Sequence, residues 1–397
     1  MNPRLDALHP YPFEKLRALM AGAVPPAGLA PVSLSIGEPK HPTPAFIEDA
    51  LRASLKGLSA YPATKGSPAL RQAIAAWIAR RYGIAPPDAD TQVLPVLGSR
   101  EALFALAQTV IDPSSDSIVL CPNPFYQIYE GAALLAGATP AFVNADPARN
   151  FGSDWSSVPA ETWRRTALVY VCSPGNPAGN VMDLDAWRTL FALSQEHGFV
   201  IAADECYSEI YLDEAEPPLG AMQAAQAVGL TDYRNLIVFS SLSKRSNVPG
   251  LRSGFVAGDA ALIARFLLYR TYHGSAMSET VAAASLAAWN DEAHVIENRR
   301  QYRAKFDAVL PILQDVLDVA RPDASFYLWA RTPGSDTVFA RGVFEQQNVA
   351  VLPGSYLARE AHGTNPGAGR IRIALVAPLD ACVEGAQRIA AYARTLR

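Results

Sequence analysis

Three consecutive stretches decide the fold: Ala167-Leu-Val-Tyr-Val-Cys-Ser-Pro-Gly-Asn176, Asp183-Leu-Asp-Ala-Trp-Arg-Thr-Leu-Phe-Ala-Leu-Ser-Gln-Glu196, and Val200-Ile-Ala-Ala-Asp204-Glu-Cys-Tyr207. The first and third are short, continuous apolar runs bounded by Gly, Pro, Ser or Asp. Such runs read as strands buried on both faces, which is the environment of a parallel sheet. The middle stretch follows the capping residue Asp183 and carries apolar residues at helical spacing, predicting a helix over 185–196. A crossover of that length suits parallel neighbours.

The pattern extends in both directions from this unit. Val93–Leu97, Ile118–Cys121, Leu236–Phe239 and Gly254–Ala257 are further strand candidates, and Ser99–Val110 opens a helix at Gly-Ser. The result is an α/β layer from about Val93 to Gly258. From about Asn290 the pattern becomes a long charged helix, a strand at Phe326–Trp329, another helix, short strands near Val349–Leu352 and Arg370–Ile373, and a final helix. A chain of 397 residues exceeds one ordinary core, so two domains are expected. The expected division is an arm with part of the small domain (1–45), a large α/β domain (46–288) and a smaller α+β domain (289–397). The Gly-rich stretch His362–Gly369 reads as a long loop.

Half the residues are apolar and 18% are charged, a globular balance. The net charge of −4 offers no long-range attraction to nucleic acid or anionic membrane. Small-molecule partners are expected instead. The first seventeen residues lack the apolar centre of a signal peptide, which points to the cytoplasm. Cys121, Cys172, Cys206 and Cys382 are far apart and are expected to be buried thiols. The six histidines show no paired metal-binding spacing, so no metal is expected.

The chemistry concentrates at strand ends. In Phe239-Ser-Ser-Leu-Ser-Lys244-Arg-Ser-Asn-Val-Pro-Gly-Leu-Arg252-Ser-Gly254 a lysine follows a buried strand among hydroxyls. Burial lowers an amine's pKa and frees it to form an imine. Ser241, Ser243 and Arg252 suit a phosphate. A solvated basic loop is the plainer alternative. Asp204 ends a strand and can keep a heterocyclic nitrogen protonated, with Tyr207 three residues on; a helix cap and a packed ring would look the same. Asn176 presents an amide on a turn, or simply forms that turn. Gly98-Ser99-Arg100 opens a helix and so offers a phosphate site. Tyr126, in Pro124-Phe-Tyr-Gln-Ile-Tyr129, can lie over a planar ring or belong to the core.

Together and in this order, these motifs resemble the class I/II aminotransferases of the fold-type I pyridoxal-phosphate enzymes. The resemblance implies a mostly parallel seven-stranded sheet sandwiched by helices, and pyridoxal 5′-phosphate held as an imine on Lys244. It assigns Arg252, Ser241, Ser99 and Arg100 to the phosphate, Asp204 to the ring nitrogen, Tyr207 and Asn176 to the phenolate oxygen, and Tyr126 to ring stacking. Arg372, in Gly369-Arg-Ile-Arg-Ile-Ala374, matches the clamp on the substrate α-carboxylate, beside Gly37 of Ser35-Ile-Gly-Glu-Pro39. Arg370 projects to the same face of a strand, so alternation alone does not separate the two. Tyr61 matches a tyrosine that reaches the neighbouring subunit's phosphate, which implies a homodimer with shared sites.

Within the family, the chain is similar end to end to the bacterial succinyldiaminopimelate aminotransferases. The likeness rests on Leu8–Leu16, Gly37–Pro44, Ser243–Phe255, Tyr269–Gly274, Ala288–His294 and Pro353–Arg359. It implies exchange of an amino group between glutamate and N-succinyl-2-amino-6-oxopimelate by a ping-pong route. Lys40, His41, Arg100, Arg245, Arg270 and His273 are candidate cations for the extra carboxylates. Aspartate, aromatic or alanine specificity is the enzymatic alternative. An effector-sensing regulatory module on the same fold is the remote one, expected to carry an extra basic segment ahead of the cofactor domain.

Overall fold

The computed structural model describes residues 1–397. Thirteen strands follow in chain order: β1 (Val32–Ser33), β2 (Val93–Val96), β3 (Ile118–Asn123), β4 (Thr139–Asp146), β5 (Gly152–Ser153), β6 (Thr166–Cys172), β7 (Val200–Asp204), β8 (Leu236–Ser241), β9 (Gly254–Gly258), β10 (Tyr327–Arg331), β11 (Val349–Ala350), β12 (Leu352–Pro353) and β13 (Arg370–Ala374). β2 to β9 make one sheet in the order β2-β9-β8-β7-β6-β3-β4-β5. Its neighbours are parallel except at β9 and β5. The expected seven strands are therefore joined by an eighth, the two-residue edge strand β5.

Period-two alternation divides each central strand between two cores. Leu168 and Tyr170 pack on one face with Leu103, Leu106, Tyr129 and Phe266. Val169 and Val171 pack on the other with Trp77, Trp187, Phe191 and Trp289. Both faces are covered by helices, which explains why these strands read as continuous apolar runs. β4 escaped the sequence reading because it carries a proline and an asparagine and is only half-buried near the sheet edge.

The predicted helices appear as Ser99–Val110 and Leu184–His197, the latter capped by Asp183 accepting from the Ala186 amide. Towards the C-terminus, β10, β13 and β12 form an antiparallel sheet and β1 pairs in parallel with β11. Helices Ala293–Gln314, Asp336–Gln347 and Leu379–Arg394 pack around them. Val32 and Leu34, far upstream, share that core with Phe306, Leu328, Ile371 and Ile389. No helix is long and apolar enough to cross a membrane.

The topology positions the site. β3 and β4 progress towards one edge and β6, β7 and β8 towards the other, so β3 and β6 flank a switch point where ligands collect beyond the carboxyl ends. Tyr126 follows β3, Asn176 follows β6, Asp204 ends β7, and Ser241 ends β8 with Lys244 just after it. β9 runs the opposite way, so Arg252, which precedes it, lies at the same edge.

Candidate active site

One cavity of about 640 Å³ opens at that edge. Gly37, Ser99, Arg100, Tyr126, Asn176, Asp204, Tyr207, Ser241, Ser243, Lys244, Arg252 and Arg372 all line it. Of the residues that the resemblance assigns to cofactor or α-carboxylate, only Tyr61 lies outside it, fully exposed at 103%.

Ser241 caps the one-turn helix Leu242–Arg245, its hydroxyl accepting from the Ser243 amide at 3.1 Å. That turn presents the Lys244 amine to the Gly37 carbonyl. Burial pulls Lys244 down to about 8, and the nearby guanidinium groups of Arg372 and Arg100 act in the same direction. A useful fraction of neutral amine is therefore present near neutral pH. Consecutive helical residues diverge by about 100°, so Arg245 leaves the cleft. It is buried against Trp289 and bonds to the Ala288 carbonyl at 2.7 Å and to Glu292 at 2.6 Å.

Asp204 is buried, and burial pushes its carboxyl up. The Tyr129 hydroxyl donates to Oδ2 at 2.8 Å and the Cys206 amide to Oδ1 at 3.2 Å, both of which pull it back. Tyr129 is stacked on Tyr170 at 4.5 Å, which fixes its hydroxyl. Sequence reasoning took Tyr126 from this segment and passed over Tyr129. The two rings meet edge-on at 5.8 Å where the chain turns from β3 into the helix Ile128–Ala136.

Arg372 is buried at the centre of β13, opposite Trp329 on β10 and Leu352 on β12. It donates to Asn176 Oδ1 at 2.9 Å and to the Ser35 carbonyl at 2.8 Å, while its Nε has no partner. A buried guanidinium with a spare donor and no carboxylate of its own suits a carboxylate ligand. Arg370 instead lies over Phe151 at 4.8 Å. Tyr327, unassigned from sequence, sits under the Arg372 guanidinium at 4.3 Å and meets the Tyr207 hydroxyl at 3.0 Å. It also explains Gly37, where a Cβ would come within 1.9 Å of the Tyr327 hydroxyl.

At the other end of the cavity, the Ser241 and Ser243 hydroxyls are 2.9 Å apart, and Arg252 Nη1 approaches Ser243 at 3.5 Å. The helix Ser99–Val110 begins beside them, and its N-cap Gly98 has φ 84° and ψ 158°, a conformation essentially reserved for glycine. A Cβ there would lie 2.3 Å from Arg252 Nη2. Hydroxyls, a guanidinium and a helix N-terminus at one end, a buried acid and a desolvated lysine further in, are the donor set for a phosphorylated aldehyde on a nitrogen heterocycle. The residues present fit that group.

Arg100 donates to the Tyr126 hydroxyl at 2.6 Å and to that of Tyr11 at 3.3 Å. Tyr11, Pro12 and Phe13 of the N-terminal arm thus line the cavity, a contribution that no local pattern announces. Cys172 and Cys206 also line it and are only partly buried, which corrects the expectation of four core thiols. Cys206 Sγ lies 2.9 Å from the Ser99 hydroxyl.

Of the other cations expected in the cleft, Arg270 is buried against both Glu101 oxygens at 2.7 Å. His273 contacts the Ser275 hydroxyl and Lys40 pairs with Glu38. His41 turns away to Asn298 and Lys305. None of these, nor Arg245, lines the cavity. Arg100 alone of the six does.

The fold and site define an enzyme of the pyridoxal-phosphate class, with the candidate cofactor site at a sheet switch point. The aminotransferase class I and II family profile matches residues 30–384, and the chain belongs to that family, whose members use pyridoxal phosphate. A relative called LL-diaminopimelate aminotransferase, from Desulforudis audaxviator, is 33% identical over 97% of this chain and 96% of its own. The crystal structure of an aminotransferase from Neisseria meningitidis is 56% identical, with a TM-score of 0.95 over 98% of this chain and 99% of that one. A probable N-succinyldiaminopimelate aminotransferase from Thermus thermophilus is 25% identical, with a TM-score of 0.85 over 96% and 100%.

Proposed function

We propose that this aminotransferase moves an amino group between glutamate and N-succinyl-2-amino-6-oxopimelate. The observation that carries the reading is the cavity itself: about 640 Å³, with Arg372 buried at one end and lacking a carboxylate partner. That volume admits a long-chain substrate carboxylate on Arg372 in the space it shares with the cofactor. The end-to-end likeness to succinyldiaminopimelate aminotransferases and the name of the Thermus structure support it further.

Arg372 and the Gly37 loop hold the substrate α-carboxylate. Lys244, partly neutral because its pKa is near 8, carries a proton away from the substrate Cα. Pyridoxal 5′-phosphate, when bound, supplies the ring that accepts the electron pair freed at that carbon. Asp204 would hold a proton on the ring nitrogen, Tyr207 and Asn176 would serve the phenolate oxygen, and Tyr126 would stack on the ring. Ser99, Arg100, Ser241, Ser243 and Arg252 would hold the phosphate.

A homodimer in the cytoplasm, divided into the three chain segments 1–45, 46–288 and 289–397, belongs to the same proposal. Exposed Leu55, Leu58, Tyr61, Leu268 and Tyr272 support an apolar subunit contact in which Tyr61 reaches the partner's phosphate. Sedimentation should return twice the chain mass.

Direct amination to LL-diaminopimelate is the second reading, favoured by the name of the Desulforudis relative. A coupled assay with glutamate and the succinylated oxo acid, beside LL-diaminopimelate, aspartate and aromatic amino acids with 2-oxoglutarate, separates the readings. Faster turnover of any control overturns the succinyl assignment and leaves the aminotransferase class in place.

A further inference from the structure

Behind the Lys244 turn lies a second buried lysine that the reaction above does not use. Lys305, on the helix Ala293–Gln314, is 2% exposed and has no carboxylate partner. Its amine meets His41 Nε2 at 2.6 Å and the Val376 carbonyl at 3.3 Å, and lies 4.9 Å from the centre of the Tyr302 ring. A buried, unpaired ammonium is costly to keep.

The hydrogen bonds determine the tautomer. Asn298 Nδ2 faces the backbone carbonyls of Lys244 at 3.3 Å and Arg245 at 3.4 Å. Its Oδ1 is therefore the acceptor for Asn247 Nδ2 at 3.0 Å and for His41 Nδ1 at 2.7 Å. With its proton on Nδ1, neutral His41 offers Nε2 as the acceptor for Lys305. A doubly protonated His41 would present N–H to an ammonium, so the pair holds one proton between them.

Three elements of the carboxylate site converge on this pair. His41 ends the loop whose Ser35 and Gly37 carbonyls accept from Arg372 and Lys244. Asn298 grips the Lys244 turn, and Val376 follows β13, which carries Arg372. Thr43 adds a bond to the Asn247 carbonyl at 3.1 Å.

We propose that His41, Lys305 and Asn298 are positioning residues for transamination: the proton shared by His41 and Lys305 holds the Gly37 loop, the Lys244 turn and the end of β13 in the geometry that binds the substrate α-carboxylate. The proposal rests on Arg372 and Gly37 gripping that carboxylate and is independent of which amino donor is preferred. Burial pulls Lys305 down to about 8, and burial together with the Lys305 charge lowers His41. The other ionisable groups acting on the pair are Glu297 beyond His41, and Cys382 and the Tyr302 phenol beside Lys305. Substrate grip should therefore weaken above about pH 8, as the shared proton leaves.

Lys305→Met in the holoenzyme tests this, assayed with whichever amino donor turns over fastest. The expected result is wild-type cofactor absorbance per chain and kcat within about twofold. KM for the donor should rise about tenfold, and the alkaline fall of kcat/KM near pH 8 should disappear. His41→Gln, should Lys305→Met misfold, should give the same split between KM and kcat. In ¹⁵N-labelled wild type at pH 7, without turnover, His41 should appear as the neutral Nδ1–H tautomer. An unchanged KM, an alkaline limb that persists in the variant, or an Nε2–H or doubly protonated His41 overturns the proposal. Failure of the succinyl assay alone, with this split intact, removes only the substrate assignment.

Discussion

Replacing Gly98 with alanine separates two effects that the structure places on one residue. At φ 84° and ψ 158° an alanine costs about 1–3 kcal/mol in backbone strain, read as a lower melting temperature. The new Cβ would also stand 2.3 Å from Arg252 Nη2. Backbone at the start of Ser99–Val110 is held by the helix, whereas a guanidinium swings easily, so Arg252 is the group that moves. A charge-assisted hydrogen bond is worth about 1.5–3 kcal/mol, so losing the Arg252 grip should weaken cofactor binding by about 10- to 150-fold. Titrating cofactor-free protein with pyridoxal 5′-phosphate and following the quench of tryptophan fluorescence gives Kd directly. Arg252→Ala should match or exceed the loss, and the double variant should add little to it, because both remove the same contact. A Gly98→Ala protein with a lowered melting temperature and a wild-type Kd would refute the cradle and leave only strain.

The rate at which cofactor-free protein takes up the aldehyde should rise with pH to a midpoint near 8, because the lowered pKa of Lys244 makes half its amine neutral there. A midpoint near 10.5 would contradict its burial, and Lys244→Ala should show neither uptake as an imine nor turnover. Tyr129→Phe removes the donor to Asp204 Oδ2, so the carboxyl shifts further upward and cofactor affinity near pH 8 should fall about tenfold. Unaltered affinity would show that Asp204 needs no help from that hydroxyl. Glu205 is buried against the Tyr82 hydroxyl and the Ala221 amide, and burial raises it to about 7 from 4.5. Its contribution to stability is therefore full below pH 4.5 and lost as the pH rises through 7, so Glu205→Gln should flatten the melting temperature over that window. A profile as steep as wild type would assign the slope to other groups.

Local chemistry in the sequence settled the α/β layer, because strands buried on both faces must be apolar throughout and the helix that follows β6 carries its own cap, Asp183. It also settled the strand-end residues, since a chain leaving a parallel strand at its carboxyl end delivers Asp204, Asn176, Ser241 and Lys244 to one edge whatever else packs there. β4 and β5 fell outside that logic: near the sheet edge, half-buried residues carry little periodic signal.

Only the tertiary structure decided between neighbours that a pattern treats alike. Arg372 rather than Arg370 enters the cleft because Ser35 and Asn176, brought from more than 190 residues away, meet its guanidinium. Arg245 is buried beside Trp289 although it adjoins Lys244, and Tyr11, Tyr129 and Tyr327 reach the site from three distant segments. Periodicity specifies the face on which a side chain lies. What stands opposite that face, and hence how far an amine or carboxyl is desolvated, depends on contacts that exist only once the chain has closed on itself.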